Sequence, residues 1–314
     1  MKTILLAALL CCSAAAIAQP DAYRIVYNVH LPDTSRDDWE IFSMRTDGSG
    51  KQNITQNPDV AWAYYAYGDK LYFISDRDNC YRCFYLYESD AQGKNIRKVS
   101  DLQLEDSWIS SRNQGREMVV AGRQGKDIRY QLFLIDITTG SYSQLTHDTA
   151  ARYSDPCFSP DGEQIAFAYK ARKRDKSTHD EIYLMNSDGS GLRQLSHYPA
   201  DNPSYKTYGY KAGATRWHPS GAFISYLSKQ DGRHSIFGIT PDGKKQWKLT
   251  DNTLAEGWHD WSPDGQWLVF NSSDIEETQF HISLMNWETK KQQQLTDNSF
   301  KSQQAPVFIR SAEK

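Results

Sequence analysis

The chain has 314 residues, 39% apolar, 24% charged and 13% aromatic, with 36 basic against 39 acidic side chains and a formal net charge of −3. That composition folds, which excludes wholesale disorder, and its near-neutral balance lacks the basic footprint of general nucleic-acid binding. A chain of about 300 residues buries roughly 75% of its unfolded surface, so a large core needs no metal or disulfide staple.

Residues 1–18 read as a cleavable leader. Lys2 supplies the positive start, Ile4 to Cys12 the short apolar run, and Ala16-Ile17-Ala18 the small-x-small pattern before a cut after Ala18. Leu10 stands before Cys11 where a lipid-attachment signal has a small residue. The apolar run falls short of the roughly 20 residues of a spanning helix, and no later segment approaches that length. Residues 19–314 are therefore expected to form a single exported domain, periplasmic or secreted, monomeric and without a membrane span.

Export places Cys80, Cys83 and Cys157 in an oxidising compartment, and an odd number leaves at least one thiol free. The Cys80-x-x-Cys83 spacing suits a small disulfide across a turn, or plain thiols. A zinc site needs a second ligand pair, and a thioredoxin-like motif needs a βαβ context.

The rest of the chain repeats roughly every fifty residues. An apolar-hydroxyl pair recurs at Ile54-Thr55, Val99-Ser100, Leu145-Thr146, Leu195-Ser196, Leu249-Thr250 and Leu295-Thr296. Phe158-Ser-Pro-Asp-Gly162, Trp217-His-Pro-Ser-Gly221 and Trp261-Ser-Pro-Asp-Gly265 hold a fixed place in the same period, each followed by a short β-branched or aromatic run. Glu40-Ile-Phe-Ser-Met44 and Glu181-Ile-Tyr-Leu-Met185 precede Asp-Gly-Ser-Gly turns. Pro fixes φ and Gly takes positive φ in such turns, and the runs are too short for helices. One period thus reads as four strands a, b, c and d, and six periods as an all-β, six-bladed propeller of four-stranded blades. Tyr23-Arg-Ile-Val-Tyr27 begins at a strand b, while Ala305-Pro-Val-Phe-Ile309 matches a strand a. The C-terminal strand is expected to complete the first blade and close the ring.

The run from Phe158 to Ser196 resembles the repeat of TolB-like propellers. The resemblance covers nearly all of residues 19–314 and is strongest in the fourth and sixth units; Tyr67-Gly-Asp-Lys70 and Asn113-Gln-Gly115 replace the Ser-Pro-Asp-Gly turn in units two and three. It implies a binding or protein-interaction role in the bacterial envelope. The α/β domain that precedes the propeller in TolB is not expected here, where strands follow the leader directly.

If strand a descends from the top face, the short a–b and c–d turns lie below and the irregular connections above. Those are Val29 to Asp38, Asp76 to Arg82, Lys170 to Asp180 and His197 to Gly213, and length variation on one face marks where function is acquired. Tyr198, Tyr205, Tyr208 and Tyr210 offer amphipathic contact area for a partner or cover for the neighbouring blades. The basic run containing Arg172, Lys173 and Arg174 is a solvated loop or a contact for an anionic partner. Aligned on the repeat, Asp155, Arg216, Trp258, His259 and Asp260 fall at the upper mouth of the channel, where they bind a ligand or hold ordered water.

No G-x-S-x-G or H-E-x-x-H motif is present. The expected role is an envelope binding module that uses its top face on a protein or glycan, with no catalytic residues and no cofactor assigned. The alternative is a metal-assisted lyase or hydrolase acting on a glycan, with a divalent cation in the channel held by Asp155, His259 and Asp260. Oligogalacturonate lyases have broadly similar propellers with channel histidines, and that likeness points to His259 and, secondarily, to His218.

Overall fold

The computed structural model describes residues 22–32, 37–198, 211–230, 232–250 and 254–311. The leader and Tyr205, Tyr208 and Tyr210 lie outside the described residues. Among those described there is no helix, and so no helix long and apolar enough to cross a membrane.

Six antiparallel sheets form the blades. In chain order they are β1 (Tyr23–Leu31), β2 (Asp38–Arg45) and β3 (Gln52–Asn53) in blade one; β4 (Ala61–Tyr67), β5 (Lys70–Ser75), β6 (Tyr85–Asp90) and β7 (Arg97–Lys98) in blade two; and β8 (Gln103–Leu104), β9 (Ser110–Arg112), β10 (Glu117–Gln124), β11 (Ile128–Asp136) and β12 (Tyr142–Gln144) in blade three. Blade four holds β13 (Arg152–Phe158), β14 (Gln164–Lys170), β15 (Glu181–Asn186) and β16 (Arg193–Gln194), and blade five β17 (Ala212–Trp217), β18 (Ile224–Gln230), β19 (Arg233–Ile239) and β20 (Gln246–Lys248). Blade six holds β21 (Ala255–Trp261), β22 (Trp267–Ser273), β23 (Phe280–Asn286) and β24 (Gln292–Gln294). The last strand, β25 (Gln303–Arg310), returns to blade one as its strand a, pairing Ile25 with Phe308 and Val26 with Val307. The fold is the six-bladed propeller with the C-terminal closure that the repeat predicts.

The recurring residues have specific jobs. The hydroxyls of Thr55, Thr146, Ser196 and Thr296 each accept the strand-c amide of Ile41, Leu132, Ile182 or Ile282 at 2.8–2.9 Å, fastening strand d where it ends. In blade five a carboxylate does this work: Glu256 accepts the Ile236 amide at 2.9 Å and is itself bonded by Thr250. The c–d glycines press on the preceding blade, so that a side chain on Gly93 or Gly140 would collide with the carbonyl of Ile54 or Val99. Strand b presents a fully buried aromatic ring between blades at Tyr27, Phe73, Phe167, Tyr226 and Phe270, each contributing roughly 1.5–3 kcal/mol by leaving water.

The lower turns are locked locally. Ser159 bonds Asp161 at 2.6 Å and Ser262 bonds Asp264 at 2.5 Å. Blade five swaps the partners, with His218 Nδ1 2.7 Å from the Ser220 hydroxyl. Its Nε2 meets the Gly265 carbonyl at 3.1 Å, and its ring stacks on Phe223 at 4.6 Å. His218 therefore belongs to a lower turn and its seam with blade six, which corrects its expected place at the channel mouth.

Candidate functional site at the upper channel mouth

Each innermost strand breaks its ladder near the top. Strands β4, β13, β17, β21 and β25 carry a bulge, and Asp155, Ala214 and Ala305 take positive φ of 51–54° there. A bulge re-aims side chains and backbone amides, here into the channel and across the blade seams. In blade three the interruption is wider. β8 and β9 both pair with β10, and Glu105 to Ile109 between them loop out, carrying Asp106 and Trp108.

Arg216 crosses the channel. From blade five its Nη2 donates to the Tyr64 carbonyl of blade two at 3.0 Å, and its guanidinium carbon lies 3.5 Å from the centre of the Trp108 ring of blade three. Its Nε stands 3.4 Å from Asp260 Oδ1 of blade six, and Asp260 Oδ2 accepts the Phe308 amide of β25 at 3.0 Å. Burial pushes the Asp260 carboxyl up to about 6 against the opposing pull of Arg216, and burial also lowers the Arg216 guanidinium. This cluster is a brace across the middle of the ring.

His259 is fully buried, with Nε2 2.7 Å from the Ser225 hydroxyl. Ser225 donates to the Arg216 carbonyl and accepts the Trp261 indole N–H. Burial, followed by the Arg216 charge, lowers the imidazole to about 3, so it is neutral. Asp155 is equally committed: Oδ1 accepts the Trp108 amide at 3.1 Å and Oδ2 the Ala214 amide at 2.8 Å, joining blades three, four and five. Among the described residues no three His, Cys, Asp or Glu side chains stand together as a metal-binding group. Asp155, His259 and Asp260 are thus not brought together into the cation set grouped from the repeat.

What opens at the mouth is an aromatic and polar ring around Trp258, whose side chain is 37% exposed. Three cavities meet there. One of about 450 Å³ lies toward blades one and two, against Trp39, Trp62, Arg82 and Asp106. A second, of about 290 Å³, lies toward blades four to six, against Arg152, Lys211, His234 and Glu277. The third, of about 270 Å³, lies against Tyr64, Trp108, Tyr130 and Asp155. Asp106 accepts the Tyr64 hydroxyl at 2.5 Å, and burial raises its carboxyl above the ordinary range, with Asp155 adding to the rise.

Arg82 lies 5.1 Å over the Trp62 ring and pairs with Asp37. Its loop contains the disulfide that joins Cys80 to Cys83, while Cys157 is free and buried. Tyr198 is half-buried with its hydroxyl 2.9 Å from that of Ser228, sealing blade four to blade five. Arg172, Lys173 and Arg174 line a separate groove between blades three and four. Asp106, Tyr64, Tyr130, Arg82 and Arg152 escaped the repeat alignment. The only trace of the first is that Glu105-Asp-Ser-Trp108 replaces a regular strand a.

The pattern of the family described as the TolB beta propeller domain matches residues 130–309. The Tol-Pal system protein TolB of Francisella tularensis is 23% identical over 211 residues, 65% of this chain and 44% of that protein. The chain spans less than half the length of the curated relatives it matches. Among solved structures, TolB from Acinetobacter baumannii superposes with a TM-score of 0.70 at 15% identity, covering 92% of this chain and 67% of that one. An oligogalacturonate lyase in complex with manganese superposes with a TM-score of 0.56 at 16% identity, covering 83% and 72%. At these identities the structural likenesses establish the fold.

Proposed function

Because this chain belongs to the TolB β-propeller domain family, we propose that it is an exported, monomeric binding module of the bacterial envelope, engaging a protein or glycan at its top face. One observation carries the reading: three cavities converge on Trp258 at the mouth, where the irregular connections also gather. A half-exposed indole ringed by polar groups is an anchor of the kind that dominates binding energy at interfaces. The Arg216 brace gives that anchor a rigid floor.

The test is a cross-linked capture from envelope extract with tagged protein, with and without chelator. Trp258→Ala is expected to lose the partner, an effect of about 2 kcal/mol or more for such an anchor, with an unchanged melting temperature. Retention of the same partner by this variant would remove the mouth from the interaction.

A second reading, a lyase or hydrolase acting on a glycan at the mouth, is favoured by Asp106, a carboxyl held toward its protonated form beside the Tyr64 hydroxyl. The likeness to the manganese-bound lyase supports it at the level of fold. Turnover of an acidic oligosaccharide that disappears in Asp106→Asn would favour this reading over the module.

A further inference from the structure

At the top face blades three and four part over a groove of about 750 Å³. It shares with the channel mouth only the wall made by Tyr130 and Arg152. Six cationic side chains line it, Lys126, Arg129, Arg152, Arg172, Lys173 and Arg174, against two carboxylates, Asp127 and Asp175. In a molecule of net charge −3 this is a local reversal of sign.

Two of the six are committed: Arg129 grips Glu105 at 2.9 and 3.0 Å, and Arg152 bonds Asp180 at 2.5 Å. Lys126, Lys173 and Arg174 carry no ion pair among the described residues. Arg172 lies near Asp175, whose Oδ1 accepts the hydroxyl and amide of Ser177 at 2.7 and 2.8 Å and whose charge Arg172 partly offsets.

The backbone that carries the cations is held in place. The Lys173 amide donates to the Ala150 carbonyl at 2.9 Å, across the groove's base. The Thr178 hydroxyl closes the turn onto the carbonyls of Arg172 and Asp175 at 3.0 and 3.1 Å. A bulge in blade three, with Tyr130 at φ 57°, sets its ring beneath the guanidinium groups of Arg129 and Arg152 at 5.4 and 5.9 Å. A basic run on a free loop would spend affinity on ordering its backbone, whereas the backbone of this one is fixed before any ligand arrives.

We propose that this groove binds an anionic oligosaccharide, a glycan whose rings carry carboxylate or phosphate groups. Size argues for an oligomer, since a single inorganic anion would leave most of a groove this large unfilled. The donor set argues for a sugar over an acidic peptide. Every peptide N–H that leaves water must find an acceptor, and this groove sets six cationic donors against two carboxylates. Sugar hydroxyls accept as readily as they donate, and the acid groups meet lysine and arginine directly.

The site stands apart from the Trp258 reading, and the test separates the two. Calorimetric titration of the full chain with an oligomannuronate of four residues is expected to show binding that weakens between low and high salt. A bisphosphorylated glucosamine disaccharide, titrated alongside, distinguishes phosphate-bearing from carboxylate-bearing glycans. Neutral cellotetraose is expected not to bind. Substituting Arg172→Ser together with Arg174→Ser, both exposed, should weaken the acidic glycan about tenfold or more while Trp258→Ala leaves it unchanged. Equal affinity for cellotetraose, undiminished binding by the double variant, no binding of either acidic glycan, or loss in Trp258→Ala alone would each overturn the proposal. So would adsorption to phosphatidylglycerol vesicles without affinity for either soluble glycan.

Discussion

At the lower end of blade four Ser159 bonds Asp161, two residues away. At its upper end Asp155 bonds the amides of Trp108 and Ala214, which lie 47 and 59 residues away in neighbouring blades. The contrast runs around the ring. Below, each turn closes first on its own few residues, and its links to the next blade run to turn carbonyls, as from Arg112 to Gly162 and from His218 to Gly265. Above, Asn28 bonds both backbone groups of Ala63, Asn271 accepts the Ala305 amide, and Arg216 reaches the carbonyl of Tyr64. The lower turns are thus built locally before they touch a neighbour, whereas on the upper face the bonds of Asp155, Asn28 and Arg216 are themselves the joints between blades.

The largest expected effect comes from breaking that closure. Deleting the chain from Ala305 onward removes Val307, Phe308 and Ile309 from the core, about 5–9 kcal/mol of burial, comparable with the whole stability of a domain. Loss of the cooperative thermal transition by circular dichroism is expected; an unaltered melt would show that blade one closes without its last strand.

Next is Arg216→Met, which leaves the half-buried Asp260 without its cation and should cost about 2–4 kcal/mol by urea denaturation, somewhat below the loss for a fully buried pair. Adding Asp260→Asn should recover part of that cost. If the two substitutions simply add, the brace is not a coupled pair.

Asp155→Ala against Asp161→Ala sharpens the contrast between faces directly. The first strands two interblade amides and should cost about 2–4 kcal/mol, the second about 1 kcal/mol or less. Equal losses would erase the distinction drawn between upper and lower bonds.

The smallest effect is one of pH. His259 is lowered from 6.5 to about 3, so its contribution is whole above pH 6.5 and is lost as pH falls toward 3. Asp260 is raised from 3.8 to about 6, so its contribution is whole below 3.8 and is lost as pH rises through 6. Near pH 5 the two slopes oppose each other. Asp260→Asn should uncover the histidine slope, about 1.4 kcal/mol per pH unit between pH 6 and 4, in denaturation curves taken across that range. Parallel curves for the variant and the natural protein would exclude the opposition.

The same contrast explains what could be read from the chain before its structure. Blade number, turn positions and the C-terminal closure follow from chemistry that repeats locally, such as Pro-Asp-Gly turns and the Leu-Thr pair. Periodicity also brought Arg216, Trp258 and Asp260 to the channel. It could not tell that His259 is sealed behind Ser225, that both oxygens of Asp155 are taken by amides, or that His218 stands in for a turn serine. The first two outcomes depend on partners in other blades, at distances along the chain that no spacing encodes, and the third on a swap of partners within one turn. Asp106 was hidden for a related reason, since it lies where blade three abandons the repeat.

The seating of β25 in blade one also bears on how the molecule is made. Until the last strand arrives, β1 offers its inner edge unpaired, beside a core lacking Phe308 and Val307. Such an edge invites pairing with another chain, and joining it to β25 is the most distant contact the chain must make, the kind that slows folding. The slow and vulnerable moment in assembly is therefore the wait of the first blade for the last strand. Aggregation during that interval should fall when the C-terminal segment is supplied early, as a free peptide or by a permuted chain.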